Sequence, residues 1–156
     1  VLTNLGLLPG ALTFNDSNRY SDRWVDLKIE SDSPWLKNID SLSLPIAHGE
    51  GKYYADNKTL NTLKKQKQIA ATYFKGEICA LQNLPANPNG ALNNIAAVLN
   101  YNGRVFGLMP HPERAIAFTH LPHWTYLKEK HRREGSPLPK EGPGLQIFRN
   151  AVSYFH

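Results

Sequence analysis

A chain of 156 residues, 41% hydrophobic and 20% charged, has room for one domain with a real core. Its net charge of +5 and pI near 9.4 come from scattered basic residues, dense only at Lys64 to Lys67 and Lys128 to Arg133. Neither run is interleaved with stacking aromatics, so nucleic acid is not an expected partner, and no run approaches the roughly 20 apolar residues of a membrane helix. One cysteine, Cys79, excludes an internal disulfide and points to a reducing, cytoplasmic setting.

The opening Val1 to Gly10 puts Leu2, Leu5 and Leu8 at helical spacing and closes on Pro9-Gly10. With no cap residue and no initiator methionine, it reads as the tail of a helix begun upstream, and the chain as a fragment. Ala11 to Asp22 is polar and loop-like. Trp24 to Glu30 alternates apolar and polar residues, the pattern of a half-buried strand. Ser33-Pro34 starts a turn, and Leu42 to His48 is a second short strand, stopped by His48-Gly49-Glu50-Gly51. Asp56 to Lys67 is a lysine-rich helix or an exposed connection, and Gln68 to Phe74 is strand-like. Pro85 to Gly90 is a dense turn cluster. Ile95 to Leu99 and Val105 to Met109 flank Asn100 to Arg104, whose Asn-Gly predicts a hairpin. Its second arm carries His111 to a strand end. Thr119 to Gly144, rich in proline, glycine and charge, reads as a long irregular insertion. Leu145 to Phe155 has the apolar spacing of an amphipathic closing helix. Strands mixed with a few helices, without a repeat, give a single α/β or α+β domain.

The chemistry concentrates at His111-Pro112-Glu113. In an extended segment an imidazole and a carboxylate two residues apart project to one side, with proline stiffening the link. A carboxylate bonded to one ring nitrogen fixes the tautomer and frees the other nitrogen as a general base. His-x-Glu alone is common by chance. A metal site is not expected, because only His48, His120 and His123 could add ligands and no zinc spacing appears.

Met109-Pro110-His111-Pro112-Glu113-Arg114 stands in series with Asn15 to Tyr20, Pro45 to Tyr53, Asn87 to Gly90 and Gly144 to Val152. In that order, over most of the chain, these motifs resemble the glutaminase part of phosphoribosylformylglycinamidine synthase, a class I glutamine amidotransferase of purine biosynthesis. The resemblance implies a flavodoxin-like α/β fold, a mixed sheet with flanking helices, of which residues 1–156 are the C-terminal part. It implies that His111 is the acid/base and Glu113 its orienter in a Cys-His-Glu triad that hydrolyses glutamine. His48, Gly49 and Glu50 would lie near the glutamine site. Asn15, Ser17 and Arg19 would contact substrate or face the synthetase, and Arg114 would pair with a carboxylate near the triad or at the domain interface. The family's nucleophile sits in a Gly-x-Cys-x-Gly-x-Gln turn that has no counterpart in this sequence, and the surroundings of Cys79 do not match it. The chain by itself is therefore expected to be inactive. Its expected partners are a synthetase domain or subunit, which would hold ATP and magnesium, and the missing first part of its own domain, which itself needs no cofactor. The alternatives are an amidotransferase of another pathway and a non-catalytic module that keeps the fold to bind a partner.

Overall fold

A computed structural model describes all 156 residues. Its main sheet has five strands, β2 (Ser21–Ile29), β3 (Ser41–His48), β5 (Ile69–Phe74), β6 (Ile95–Leu99) and β7 (Phe106–Leu108), in the order β3-β2-β5-β6-β7. β6 and β7 form the hairpin that the Asn-Gly turn predicts, with Leu99 opposite Phe106. The α/β class with flanking helices is as expected. Within these residues every strand pairing is antiparallel. Val25, Leu27, Leu44, Ile46, Tyr73 and Ile95 lie fully buried on the sheet and form the centre of the core.

Several local readings change. The opening turn ends at Gly6, not at Pro9-Gly10. Gly6 takes φ +70°, its N–H donates to Thr3 (3.0 Å) and the Leu7 N–H to Leu2 (3.0 Å). This is the Schellman pattern that stops a helix, and glycine adopts its left-handed residue most readily. β1 (Ala11–Thr13), expected as loop, pairs with β4 (Lys52–Tyr54). Three residues are too short to show a period.

α1 (Asn57–Lys65) is the helix allowed for at 56–67. The Asp56 carboxylate caps it by accepting from the Thr59 N–H at 2.7 Å, and Leu60 and Leu63 bury its inner face. α2 (Glu77–Gln82) was not foreseen. Its cap is long-range: the buried Asp26 carboxylate on β2 accepts from the Cys79 N–H (2.8 Å) and the Ser43 hydroxyl (2.7 Å).

The segment read as an irregular insertion contains α3 (Trp124–Glu134), a helix with no buried residue. Its only inward face, half-buried Trp124, Leu127 and His131, is too short and too polar to stand out as a period. A bridge between Ala117 and Glu141, with the Phe118 N–H on the Lys140 carbonyl (3.1 Å), closes the neck of this excursion. α4 (Leu145–Phe155) follows as expected, yet only Ile147 is buried, while Phe148, Val152, Tyr154 and Phe155 stay exposed. The Asn150 side chain ties α4 to the carbonyls of Trp35 (3.1 Å) and Lys37 (2.8 Å). No helix is long and apolar enough to cross a membrane.

Candidate active site

The strand β7 ends just before the chemistry. Beyond it the Met109 N–H still bonds the Ala96 carbonyl of β6 (3.0 Å), but the His111 N–H bonds the Pro45 carbonyl of β3 (2.8 Å). β6 and β3 lie at opposite sides of the sheet, so Met109 to His111 bridges a curled sheet and fixes the backbone of His111 from both directions. Pro112 to Ala115 then forms one 3-10 turn, closed by the Arg114 N–H on the His111 carbonyl (3.2 Å). Pro112 occupies the first position of that turn, where its missing N–H costs nothing and its fixed φ fits.

This turn, not the extended segment expected, brings Glu113 back onto His111. The Glu113 Oε1 to His111 Nδ1 distance is 2.6 Å. With Nδ1 engaged by the carboxylate, Nε2 is the ring nitrogen left free. The imidazole is half-buried at 36% side-chain exposure and the carboxylate is exposed at 56%, so the pair sits at an open surface that a substrate can reach. Arg114 faces a carboxylate as expected: its guanidinium is 3.7 Å from Asp22 on β2. From below, the Gly144 N–H bonds the Ala115 carbonyl (2.9 Å), and a side chain at Gly144 would overlap the Pro112 carbonyl.

The second group of sequence candidates splits. Asn15 and His48 are buried and face one another; the Asn15 Oδ1 to His48 Nδ1 distance is 3.0 Å. Ser17, Arg19 and Glu50 are exposed, and Gly49 is partly so. Asn89 joins the buried pair. Its Nδ2 donates to the Gly51 carbonyl (2.8 Å) and lies 3.4 Å from His48 Nε2. Asn89 was visible in the sequence only as part of a turn motif, and nothing there linked it to residues 41 positions away. The Pro45 carbonyl and Gly144 were equally illegible, because their part is played by backbone. Burial lowers the pKa of His48 below its usual value, and the nearby His111 lowers it further.

Cys79 is fully buried on α2, and burial pushes its thiol upward, away from the thiolate form. No cluster of three or more histidine, cysteine or carboxylate side chains is arranged to hold a metal ion.

A sequence profile described as the CobB/CobQ-like glutamine amidotransferase domain matches residues 1–155. The phosphoribosylformylglycinamidine synthase subunit PurQ of Methanococcus maripaludis strain C7 is 44% identical over 169 residues, spanning all of this chain and 62% of its own. The protein of that name from Synechocystis is 46% identical over 121 residues, covering 74% of this chain and 52% of its own. Among solved structures, PurLQS from Thermotoga maritima matches with TM-score 0.69 and 29% identity over 99% of this chain and 57% of that one. The chain thus spans less than two thirds of the length of these relatives.

Proposed function

Because the chain belongs to the CobB/CobQ-like glutamine amidotransferase domain family, we propose that it forms the His–Glu part of a glutaminase site that supplies ammonia to phosphoribosylformylglycinamidine synthesis. The observation that carries this reading is the His111–Glu113 contact of 2.6 Å, in a chain 44% identical to a subunit of that enzyme.

In this reading a cysteine thiol gives its proton to His111 Nε2 and attacks the side-chain amide carbon of glutamine. Glu113 holds Nδ1 and stabilises the imidazolium, which then protonates the departing ammonia. Water hydrolyses the glutamyl thioester with His111 again as base. Buried Cys79 is not suited to this task, so the thiolate comes from a glycine-rich turn outside residues 1–156. An apolar groove between Leu2, Leu8, Leu12, Val98, Phe106 and Leu108 supports the packing of that further segment. Ser17, Arg19, Gly49 and Glu50 line the approach to glutamine or to the synthetase, the partner that consumes the ammonia with ATP and magnesium. The setting is the cytoplasm, where this synthesis draws on free glutamine.

Ammonia release from glutamine tests the proposal. Residues 1–156 alone should release none, and release should appear when a cysteine-bearing nucleophile segment is supplied. His111→Ala should then abolish it. Glutaminase activity of the isolated chain, or restored activity indifferent to His111→Ala, overturns the assignment.

A further inference from the structure

Three loops meet at His48, and their hydrogen bonds leave one arrangement of its protons. Asn15 Nδ2 points at two carbonyls, those of Arg19 (2.8 Å) and His48 itself (2.9 Å). Carbonyls only accept, so Nδ2 is the amide's donor end and Oδ1 its acceptor end. That oxygen receives the Gly51 N–H (3.2 Å) and faces His48 Nδ1 at 3.0 Å, so Nδ1 must carry a hydrogen. On the other side, Asn89 Oδ1 accepts from the Ala91 N–H (3.0 Å) and Nδ2 donates to the Gly51 carbonyl (2.8 Å). The second Nδ2 hydrogen points at His48 Nε2, so Nε2 must be bare. A doubly protonated ring would set N–H against N–H at Asn89. Turning that amide over would forfeit its bonds to both Gly51 and Ala91.

The surroundings close the remaining routes. Asn15 is 1% exposed, Asn89 2% and His48 8%, so water does not substitute for a lost partner. Gly51 packs so close to the ring that any side chain there would overlap it. Charged groups on the adjoining segments are otherwise engaged or exposed. Asp16 pairs with Lys52 and Asp22 with Arg114, while Arg19 and Glu50 face solvent. The titratable neighbour that His48 senses is His111.

We propose that His48 is a positioning residue, clamped between Asn15 and Asn89 as the neutral Nδ1–H imidazole, which joins loops 15–19, 48–51 and 87–91 and leaves the acid/base role in this corner to His111. The role rests on the assignment of His111 as acid/base; the clamp itself does not. An Asn–His–Asn set is suited to this because a neutral amide can hold a tautomer without stabilising an imidazolium.

Nitrogen-detected NMR of the imidazoles reads the clamp directly, in the protein with its full natural chain. His48 is expected as the Nδ1–H tautomer, unprotonated through the neutral range. Asn89→Asp replaces a donor by an acceptor at Nε2. It should raise the His48 midpoint by about one pH unit or more. An Nε2–H tautomer in the unsubstituted protein, a charged His48 at neutral pH, or a midpoint unmoved by Asn89→Asp would overturn the proposal. The tautomer measurement needs no variant and no glutaminase activity, so it stands if Asn89→Asp fails to fold and can fail independently of the catalytic assignment.

Discussion

Two histidines near one another in this fold have nearly the same local chemistry and opposite consequences. Each ring has Nδ1 on a side-chain oxygen, at 3.0 Å from Asn15 for His48 and 2.6 Å from Glu113 for His111. The oxygen of Asn15 belongs to a neutral amide in a buried corner; that of Glu113 belongs to a carboxylate at the surface. A carboxylate balances the charge of an imidazolium, and water shares the load. A buried amide does neither. In the roles proposed above, the same ring serves as a structural fastener in one place and as a proton carrier in the other, and the partner decides which.

The largest expected effect lies on the proton carrier. In an active assembly, His111→Ala should reduce glutamine turnover by about 10²–10⁴-fold or more, the usual weight of a general acid/base, while the unfolding midpoint stays close to that of the parent. Glu113→Gln turns the surface pair into a copy of the buried one, a ring held by a neutral amide. Turnover should fall while glutamine binding is retained, seen as a lower kcat at similar KM. Unchanged kcat would mean that the charge of Glu113 is not what separates the two rings.

At the fastener the expected loss is stability. Asn89→Ala or Asn15→Ala strands buried partners and should cost about 1–3 kcal/mol in denaturant unfolding. A difference near zero would mean that water reaches this corner. A fourth expectation concerns pH. The His48 pKa is lowered in the folded state, so below about 6.5 the unfolded chain binds a proton that the folded chain refuses. Stability should fall as pH drops below that value, until the folded-state pKa is reached. His48→Gln should flatten this acid slope. The smallest effect belongs to α3, where Arg132→Ala should leave the unfolding midpoint unchanged within error, since its ion pair with Glu129 lies at an exposed surface.

The longer strands were legible from alternation in β2 and from short apolar runs bounded by turn residues in β3, β5 and β6. β2, β3, β5 and β6 each fall within a residue or three of the expected bounds, and α4 matches at both ends. The pattern fails where the cause of structure is distant. α2 is capped by Asp26, 53 residues earlier in sequence than Cys79. α3 buries no residue fully, and its half-buried face of Trp124, Leu127 and His131 is too short to show a period. Likewise, His111 and Glu113 could be picked out because the partners are two residues apart. The Asn15–His48–Asn89 clamp could not, because its members stand 33 and 41 residues from one another. The resemblance puts His48 near glutamine and Asn15 against substrate or the synthetase; in the fold the polar atoms of both side chains face partners within the chain.

The neck at Ala117 and Glu141 separates what lies beyond it from what lies below. From Phe118 to Lys140 the chain leaves and returns through one bridge, taking with it five lysines and arginines against two glutamates, a net +3 of the whole chain's +5. Backbone hydrogen bonds hold both ends and buried Phe118 packs on His131, so the part of that stretch open to change is the exposed run from Gly135 to Pro139. The excursion is thus a natural graft point: a fluorophore or affinity handle at Ser136 would report on assembly while leaving the histidine turn a few residues upstream undisturbed.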